Sequence, residues 1–330
     1  MKITSFGEVL WDDFPSGKKL GGAPLNVVTR LRALGVDTAI ISRIGDDENG
    51  RGILKEVEER NVPKSLIQTD PVQATSLVSV TLSSSGSASY EIVYPCAWDR
   101  IEATQEACER VAQSDAFVFG SLATRDEVSR AALEKLLEHA RFKIFDVNLR
   151  PPHYDYERLR HFLQKADVVK LNDDELYELT NAFGSPYHSL EQNAAFLANH
   201  VGCNKLCITM GEHGAMFYDN GTAHYHGGYR VKVADTVGSG DNFLAGFIYK
   251  LMNNSMTDEQ KALVIHDYLV SHAEYDLNYK NYTSYGVLMD GRGVCQSYAL
   301  AYMYILNHLG IENPPWLNGS VQPWGILMDV

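Results

Sequence analysis

Between residues 116 and 209, short apolar runs alternate with longer amphipathic stretches, and this alternation constrains the fold more than any other feature of the 330-residue chain. The runs at 116–119, 143–145, 168–170 and 206–209 have the length and composition of strands. Segments 127–140, 156–165, 173–179 and 190–199 read as helices. Strands separated by helices do not pair through hairpins. The expected product is an α/β fold with a mostly parallel sheet covered on both faces by helices. Ligands in such folds gather at the carboxyl ends of the strands.

The N-terminal part continues the pattern. A strand at 3–6 runs into Gly7-Glu8. A helix at 24–34 carries Leu25, Val28, Leu31 and Leu34 at helical spacing and ends at Gly35. A strand at 38–42 and a helix at 50–59 follow. Residues 75–93 break the rhythm: Thr-Ser-Leu-Val-Ser-Val-Thr-Leu, then Ser-Gly turn residues, then Tyr-Glu-Ile-Val predict a hairpin. A boundary is expected near Asn253-Asn254-Ser255, beyond which Thr257-Asp-Glu-Gln260 has the capping-box pattern of a new helix.

Bulk properties exclude several classes. Apolar residues make up 45% of the chain, enough for a sizeable core, and the formal charge is −13. Such a protein has no general attraction for nucleic acid or an anionic membrane, so an anionic substrate needs a local cluster of donors or a metal ion. Cys96, Cys108, Cys203, Cys207 and Cys295 are odd in number, irregular in spacing and form no CxxC pair, which argues against a zinc site or a disulfide framework. No apolar run approaches the length of a membrane span and the N-terminus has no apolar signal core, so the expectation is a soluble cytoplasmic protein.

The chemistry concentrates at Asp235-Thr-Val-Gly-Ser-Gly-Asp241, just before a helical stripe of Leu244, Phe247, Ile248 and Leu251. Two glycines allow a tight turn whose N–H groups converge, and a helix N-terminus adds unpaired donors and a favourable dipole, which suits an anion. Asp241 falls in the first turn, where a carboxylate can take a proton from an attacking hydroxyl while the N–H groups hold a phosphoryl group. An ordinary capped helix with an acidic first turn gives the same local pattern.

The full run from Asp235 to Gly246 closely resembles the C-terminal signature of the PfkB/ribokinase family of carbohydrate kinases. Gly21-Gly22-Ala-Pro-Leu-Asn26, Leu34-Gly35 and Ile44-Gly45-Asp46-Asp47-Glu-Asn-Gly50 resemble its N-terminal signature. Asp146-Val-Asn-Leu-Arg150-Pro, Lys170-Leu-Asn172-Asp-Asp-Glu175 and Thr209-Met-Gly211-Glu-His-Gly214 resemble its internal motifs, in the family's order, over residues 1–254. The resemblance implies a ribokinase-like fold with a small β lid near 75–93 and ATP-dependent phosphorylation of a sugar. Asp241 matches the catalytic base, and Gly238, Ser239 and Gly240 match the anion hole. Asp12, Gly21, Gly22 and Asn26 match the sugar-binding set, with Arg150 facing phosphates or substrate. Asn172 and Glu175 match the motif that organises Mg2+ and phosphates, Glu175 reaching the metal through water. Thr209, Gly211 and Gly214 match the nucleotide loop. Plainer roles fit the same residues: a surface turn for Asp12, a helix cap with an exposed acid for Asn172 and Glu175, a structural ion pair for Arg150. Gly7-Glu-Val-Leu-Trp-Asp12, Ala97-Trp98-Asp99 and Gly120-Ser-Leu-Ala123 look like fructokinase-type members, so fructose is the first expected substrate, with related ketoses and sugar acids left open because one or two pocket side chains change the choice. Lid-forming members often pair through the lid, which makes a homodimer part of the expectation.

From about residue 255 to 330 the resemblance changes. Ile265-His-Asp-Tyr-Leu, Tyr275-Asp276 and Gly293-Val-Cys295-Gln-Ser-Tyr-Ala299 resemble a partial, α-rich transglutaminase-like domain in place of the helices that usually complete the kinase's adenine pocket. Cys295 matches that family's thiol nucleophile at a helix N-terminus. Gln322 stands where the family has its His, the expected Asp is absent, and Gln is no general base near neutral pH. The tail is therefore expected to carry no thiol chemistry. Displacement of the adenine wall also leaves open a sugar or nucleotide sensor with little turnover.

Overall fold

The computed structural model describes residues 1–14, 17–82, 88–228, 238–252, 269, 273–278 and 280–308. Asp235-Thr-Val237, the hairpin tip at 83–87, the capping box at 257–260 and Gln322 lie outside the described residues. The chain divides into two compact units, Met1–Met252 and Asn253–Val330.

The first unit is built on a nine-stranded sheet in the order β13-β12-β11-β10-β9-β8-β1-β4-β5. The strands are β1 (Lys2–Phe6), β4 (Asp37–Gly45), β5 (Ile67–Asp70), β8 (Ala116–Gly120), β9 (Lys143–Asp146), β10 (Val168–Asn172), β11 (Lys205–Thr209), β12 (Ala215–Asp219) and β13 (Thr222–His226). Pairing is parallel from β5 to β11 and antiparallel at β12 and β13. The apolar runs are continuous because both faces of the sheet are covered. In β8, Phe117 and Phe119 enter one core and Ala116 and Val118 the other. Helices α3 (Gln105–Ala112), α4 (Glu127–His139), α5 (Tyr156–Lys165), α6 (Asp173–Ala182) and α7 (Leu190–Val201) pack on the first face. There Phe119 stacks on Phe145 at 5.0 Å between centroids. Helices α1 (Ala23–Ala33) and α8 (Ser239–Met252) cover the second, where Val27 and Leu31 share a core with Leu244, Ala245 and Ile248. Helix α2 (Glu48–Glu59) joins α1 over β4.

Local signals set the helix starts. Asp126, Asp155 and Ser189 cap α4, α5 and α7, each side chain accepting an N–H from the first turn. The helix expected at 50–59 begins earlier, at Glu48, because Asp47 is its cap. One Asp47 oxygen accepts the Gly50 N–H at 2.7 Å and the other the Thr75 N–H at 2.7 Å, which ties the end of β4 to the lid.

The lid is a separate four-stranded sheet in the order β3-β2-β6-β7. Its strands are β2 (Leu10–Phe14), β3 (Gly17–Gly21), β6 (Leu77–Leu82) and β7 (Ala88–Ile92). The expected hairpin corresponds to β6 and β7. Strands β2 and β3 were not expected, since Asp12, Asp13, Lys18 and Lys19 give their sequence no apolar alternation. They pair as Asp12↔Lys19 and Asp13↔Lys18, so opposite charges face across the ladder. Asp12 therefore lies on a strand rather than in a surface turn.

In the second unit, β14 (Glu274–Tyr275) pairs in parallel with β15 (Arg292–Gly293), next to α9 (Ser284–Met289) and α10 (Cys295–His308). Leu269, Val287, Ala301 and Leu306 form its small core. Asp276 organises the loop that follows it by accepting the N–H groups of Asn278, Lys280 and Asn281. Cys295 begins α10, as the sequence predicts for a residue at a helix N-terminus.

Candidate active site

The carboxyl ends of β1, β8, β9, β10 and β11 open on one cleft of about 520 Å³. Glu8 follows β1, Leu122 follows β8, Asn148 and Arg150 follow β9, Asn172 ends β10, and Thr209 ends β11; all line the cleft. The chain leaves β1 for β4 on one side and later for β8 on the other, so the cleft sits at the point where strand order reverses. The N-termini of α1 and α8 form another wall, and the lid adds Leu10, Asp12, Val78 and Ile92. Asp12, Gly22, Asn26, Arg150, Asn172, Glu175, Thr209, Gly211, Gly238, Ser239, Gly240 and Asp241 are thus brought together; Gly21 and Gly214 stand behind the lining.

Gly238 takes the left-handed conformation, with φ of 71°, which turns the chain into α8. Its carbonyl accepts the backbone N–H of Asn242 at 3.0 Å and the Asn242 Nδ2 at 2.9 Å. Asp241 is half-buried in the next turn, and its Oδ2 accepts a hydrogen bond from Asn26 Nδ2 at 2.8 Å. Burial raises the Asp241 pKa above the usual aspartate value. The Asn26 hydrogen bond, Lys170 and Arg150 oppose the rise, and Asp146 adds to it.

Lys170 is a cation beside this turn. Its Nζ lies 3.0 Å from Asp146 Oδ1 in a pair whose side chains are 7% and 5% exposed. A Cβ built on Gly240 would stand 3.4 Å from the same Nζ, so the ammonium borders the first turn of α8. Desolvation works against the charge on Lys170, but Asp146 and Glu175 outweigh it and raise the pKa. The group stays cationic at neutral pH.

On the lid side, Asp12 is half-buried and its pKa is raised by burial, with Arg150 opposing. A side chain at Gly21 would overlap Asp12 Oδ2, and one at Gly22 would overlap the Glu8 carbonyl. Gly22 also holds φ of 109°. The paired glycines therefore let the carboxylate and the start of α1 approach each other. Arg150 is exposed at the cleft, donates Nη1 to the Leu149 carbonyl at 3.0 Å, and makes no ion pair among the described residues. The structural-pair alternative for Arg150 finds no support.

On the opposite side, Asn172 and Glu175 form a reciprocal capping box. Asn172 Oδ1 accepts the Glu175 N–H, and Glu175 Oε2 accepts the Asn172 N–H, both at 2.8 Å. Glu175 Oε1 accepts the Leu149 N–H at 2.8 Å. The cap is real, but Glu175 is buried at 7% exposure rather than exposed, and it fastens the loop after β9 to α6. Each of its oxygens already accepts one backbone N–H, which fixes the orientation of the carboxylate at the cleft. No group of three His, Cys, Asp or Glu among the described residues is arranged to hold a metal ion. The side chains of Asp173, Asp174 and Glu175 fit a hydrated Mg2+ approached through its waters.

Thr209 and Gly211 also border a second, more apolar cleft of about 840 Å³, with Gly214, Phe217, Phe243 and Phe247. Ser239 and Gly240 line both clefts, so the turn into α8 stands where they meet. Gly214 has φ of 91°, and a side chain there would overlap the His226 carbonyl, so the loop after β11 packs closely against the end of β13. An elongated ligand with a polar end, a central anion and a flat apolar end matches this sequence of surfaces.

The profile described as pfkB family carbohydrate kinase matches residues 12–261 of the chain. The chain belongs to this family. The kinase is 29% identical to fructokinase-2 of Solanum lycopersicum over 285 residues, covering 79% of the chain and 84% of that protein. An uncharacterized sugar kinase from Pyrococcus horikoshii, solved in complex with ATP, shares 26% identity and superposes with a TM-score of 0.65 over 76% of this chain and 85% of that one. A fructokinase of Xylella fastidiosa with bound ATP, 24% identical, has the same fold, with a TM-score of 0.69 over 81% of this chain and 85% of that one. A transglutaminase-like superfamily profile matches residues 246–313, beginning inside α8.

The motif reading of the kinase passed over Glu8, Asp146, Asn148 and Lys170 as individual side chains. A lysine between Val169 and Leu171 in a buried strand was the available signal, since an interior charge requires a partner. Glu8 carried a weaker one, as an acid directly after the first apolar strand.

Proposed function

We propose that the kinase transfers the γ-phosphoryl group of ATP to a hydroxyl of a sugar, with fructose as the first substrate. The observation that carries the reading is the Asn26–Asp241 hydrogen bond. It holds a half-buried carboxylate on the cleft wall next to a helix N-terminus and a lysine. In the mechanism, the sugar lies between Asp12, Asn26 and Arg150, and the triphosphate reaches the cleft past Thr209 and Gly211. Asp241 accepts the proton of the attacking hydroxyl. The hydroxyl oxygen forms a bond to the γ-phosphorus as the bond to the β–γ bridging oxygen breaks, and ADP leaves. N–H groups of Gly238 to Gly240 and the Lys170 ammonium hold the non-bridging oxygens, where charge stabilisation does most of the work. Mg2+ bound with ATP supplies charge neutralisation across the β- and γ-phosphates. The lid excludes water from the sugar. Two further parts of the reading are that this kinase domain ends near residue 254, with residues 255–330 a partial transglutaminase-like segment without thiol activity, and that two copies pair through the lid.

ADP release measured over a panel of ketoses, aldoses and sugar acids tests the proposal. Fructose should give the highest kcat/KM. Asp241→Asn should lose about 10²- to 10⁴-fold in kcat, the usual contribution of a positioned base, while still binding ATP. Sugar binding by the wild type without any ADP release would favour a sensor instead. Full turnover by Asp241→Asn would remove the base assignment.

A further inference from the structure

Glu8 is unused by the mechanism above. The residue is 4% exposed, and its Oε2 is buried without a hydrogen-bond partner. A buried acceptor left unpaired loses its hydration with no return, so such an atom calls for a partner. The residue borders two spaces. One is the main cleft, which it shares with Asp12, Asn26, Arg150 and Asp241. The other is a void of about 10 Å³ behind it, shared with Ser121, Asp146 and Asn148. A space of about that size takes a single water. The last torsion of a glutamate is broad and two-fold, so the carboxyl group serves either side without strain. Its main chain has no such freedom, because Gly22 packs against the Glu8 carbonyl.

We propose that Glu8 belongs to the acceptor-sugar subsite and accepts a hydrogen bond from a sugar hydroxyl other than the one phosphorylated. This rests on the sugar-kinase reading of the cleft. The position favours a neutral polyol over an anion: Glu8, Asp12 and Asp241 outnumber the one cation on this wall, Arg150, whereas Lys170 stands by the anion-binding turn. The donor set argues against a metal, because no cluster of three acids is arranged for one among the described residues. Glu8 also follows β1, at the reversal of strand order where ligands of open α/β sheets bind. Burial, aided by the Asp241 charge, pushes its carboxyl up to about 7, against the pull of its own backbone N–H, of Arg150 and of the Ala23 N–H, which leave Oε2 without a partner. An incoming hydroxyl would supply a further donor to the charged form.

The test compares wild type with Glu8→Gln, which keeps the shape and replaces one acceptor by a donor. Each is assayed at pH 8 with fructose and with its monodeoxy analogues, and sugar binding is followed by calorimetry without nucleotide. Wild type should bind one monodeoxy analogue roughly 10- to 100-fold more weakly than fructose, the range for a hydrogen bond to a charged group. Glu8→Gln should lose a similar factor on fructose but nothing further on that analogue, with KM for ATP unchanged. Equal losses of Glu8→Gln on every analogue, or no loss on fructose, would overturn the proposal. So would failure of both Glu8→Gln and Glu8→Asp to fold, which would make the group structural. If wild type phosphorylates no sugar and binds none, the sugar-kinase reading fails instead, a result independent of Glu8.

Discussion

Replacing Lys170 by Met separates what this residue does for the fold from what it does for phosphoryl transfer. Met approximates the length of the side chain but leaves the Asp146 carboxylate, 5% exposed, without its counter-ion 3.0 Å away. Deleting one member of a buried pair costs about 3–5 kcal/mol, because the remaining charge is neither hydrated nor matched. At about 2–4 °C per kcal/mol for a domain of this size, the unfolding midpoint of the first unit should fall by roughly 6–20 °C. Adding Asp146→Asn removes the stranded charge, so the double variant should recover at least half of the lost stability. Activity should behave differently. The ammonium beside Gly240 is absent from both variants, and loss of a preorganised donor to the transferring group costs on the order of 10²- to 10³-fold in kcat. Thermal melts followed by circular dichroism, alongside ADP release at saturating sugar, read both quantities. A Lys170→Met protein that melts within 2 °C of wild type would refute the buried-pair argument. A double variant with wild-type kcat would refute the placement of the charge at the anion site.

Other outcomes follow from single contacts. Gly21→Ala puts a methyl group into Asp12 Oδ2, so KM for the sugar should rise at least about tenfold, an expected cost near 1.4 kcal/mol, with KM for ATP little changed; equal effects on both substrates would point to general distortion of the lid. Asn26→Ala removes the donor that lowers the Asp241 pKa. A base works only when deprotonated, so the acid limb of kcat/KM should move to higher pH in this variant, and an unmoved limb would separate Asp241 from the rate. Stability should also report Glu8. Its folded pKa rises from the ordinary 4.5 to about 7, so the folded state binds the proton more tightly and that contribution is complete below about pH 4.5 and lost by about pH 7. Melts of wild type and Glu8→Gln should accordingly diverge over this window, by roughly 3 kcal/mol at its upper end to the disadvantage of wild type, and parallel curves would contradict the shift.

The sheet was legible because its central strands are buried on both faces, which forces uninterrupted apolar runs such as Ala116-Phe-Val-Phe119. The lid was half legible. Strand β6 alternates apolar and polar residues, whereas β2 and β3 pair through the backbone with charged residues facing one another, which no hydrophobic period reports. Strand β13 escaped for a related reason: Thr222–His226 lies at the sheet edge with mostly exposed side chains. Helix α3 is only eight residues long and buries just Ala107, Cys108 and Val111, too few to draw a stripe. At the site, motif residues were legible as types, but their partners were not. That Glu175 would spend both oxygens on backbone N–H groups, or that Asn26 would hold Asp241, depends on distances between segments far apart in sequence.

That separation has a consequence for the chain as it is made. Asn26 and Asp241 are 215 residues apart, and α8 carries Asp241 onto a sheet whose other described contributions to the cleft precede that helix. At about 5–20 residues per second, synthesis leaves roughly 10–40 s between the appearance of the two partners. A ribosome-bound chain in that interval already has the Asn26 side of the cleft but not Asp241. On the proposed mechanism, the order of assembly withholds phosphoryl transfer until α8 docks, and the pairing of Asn26 with Asp241 coincides with the burial of Leu244, Ala245 and Ile248.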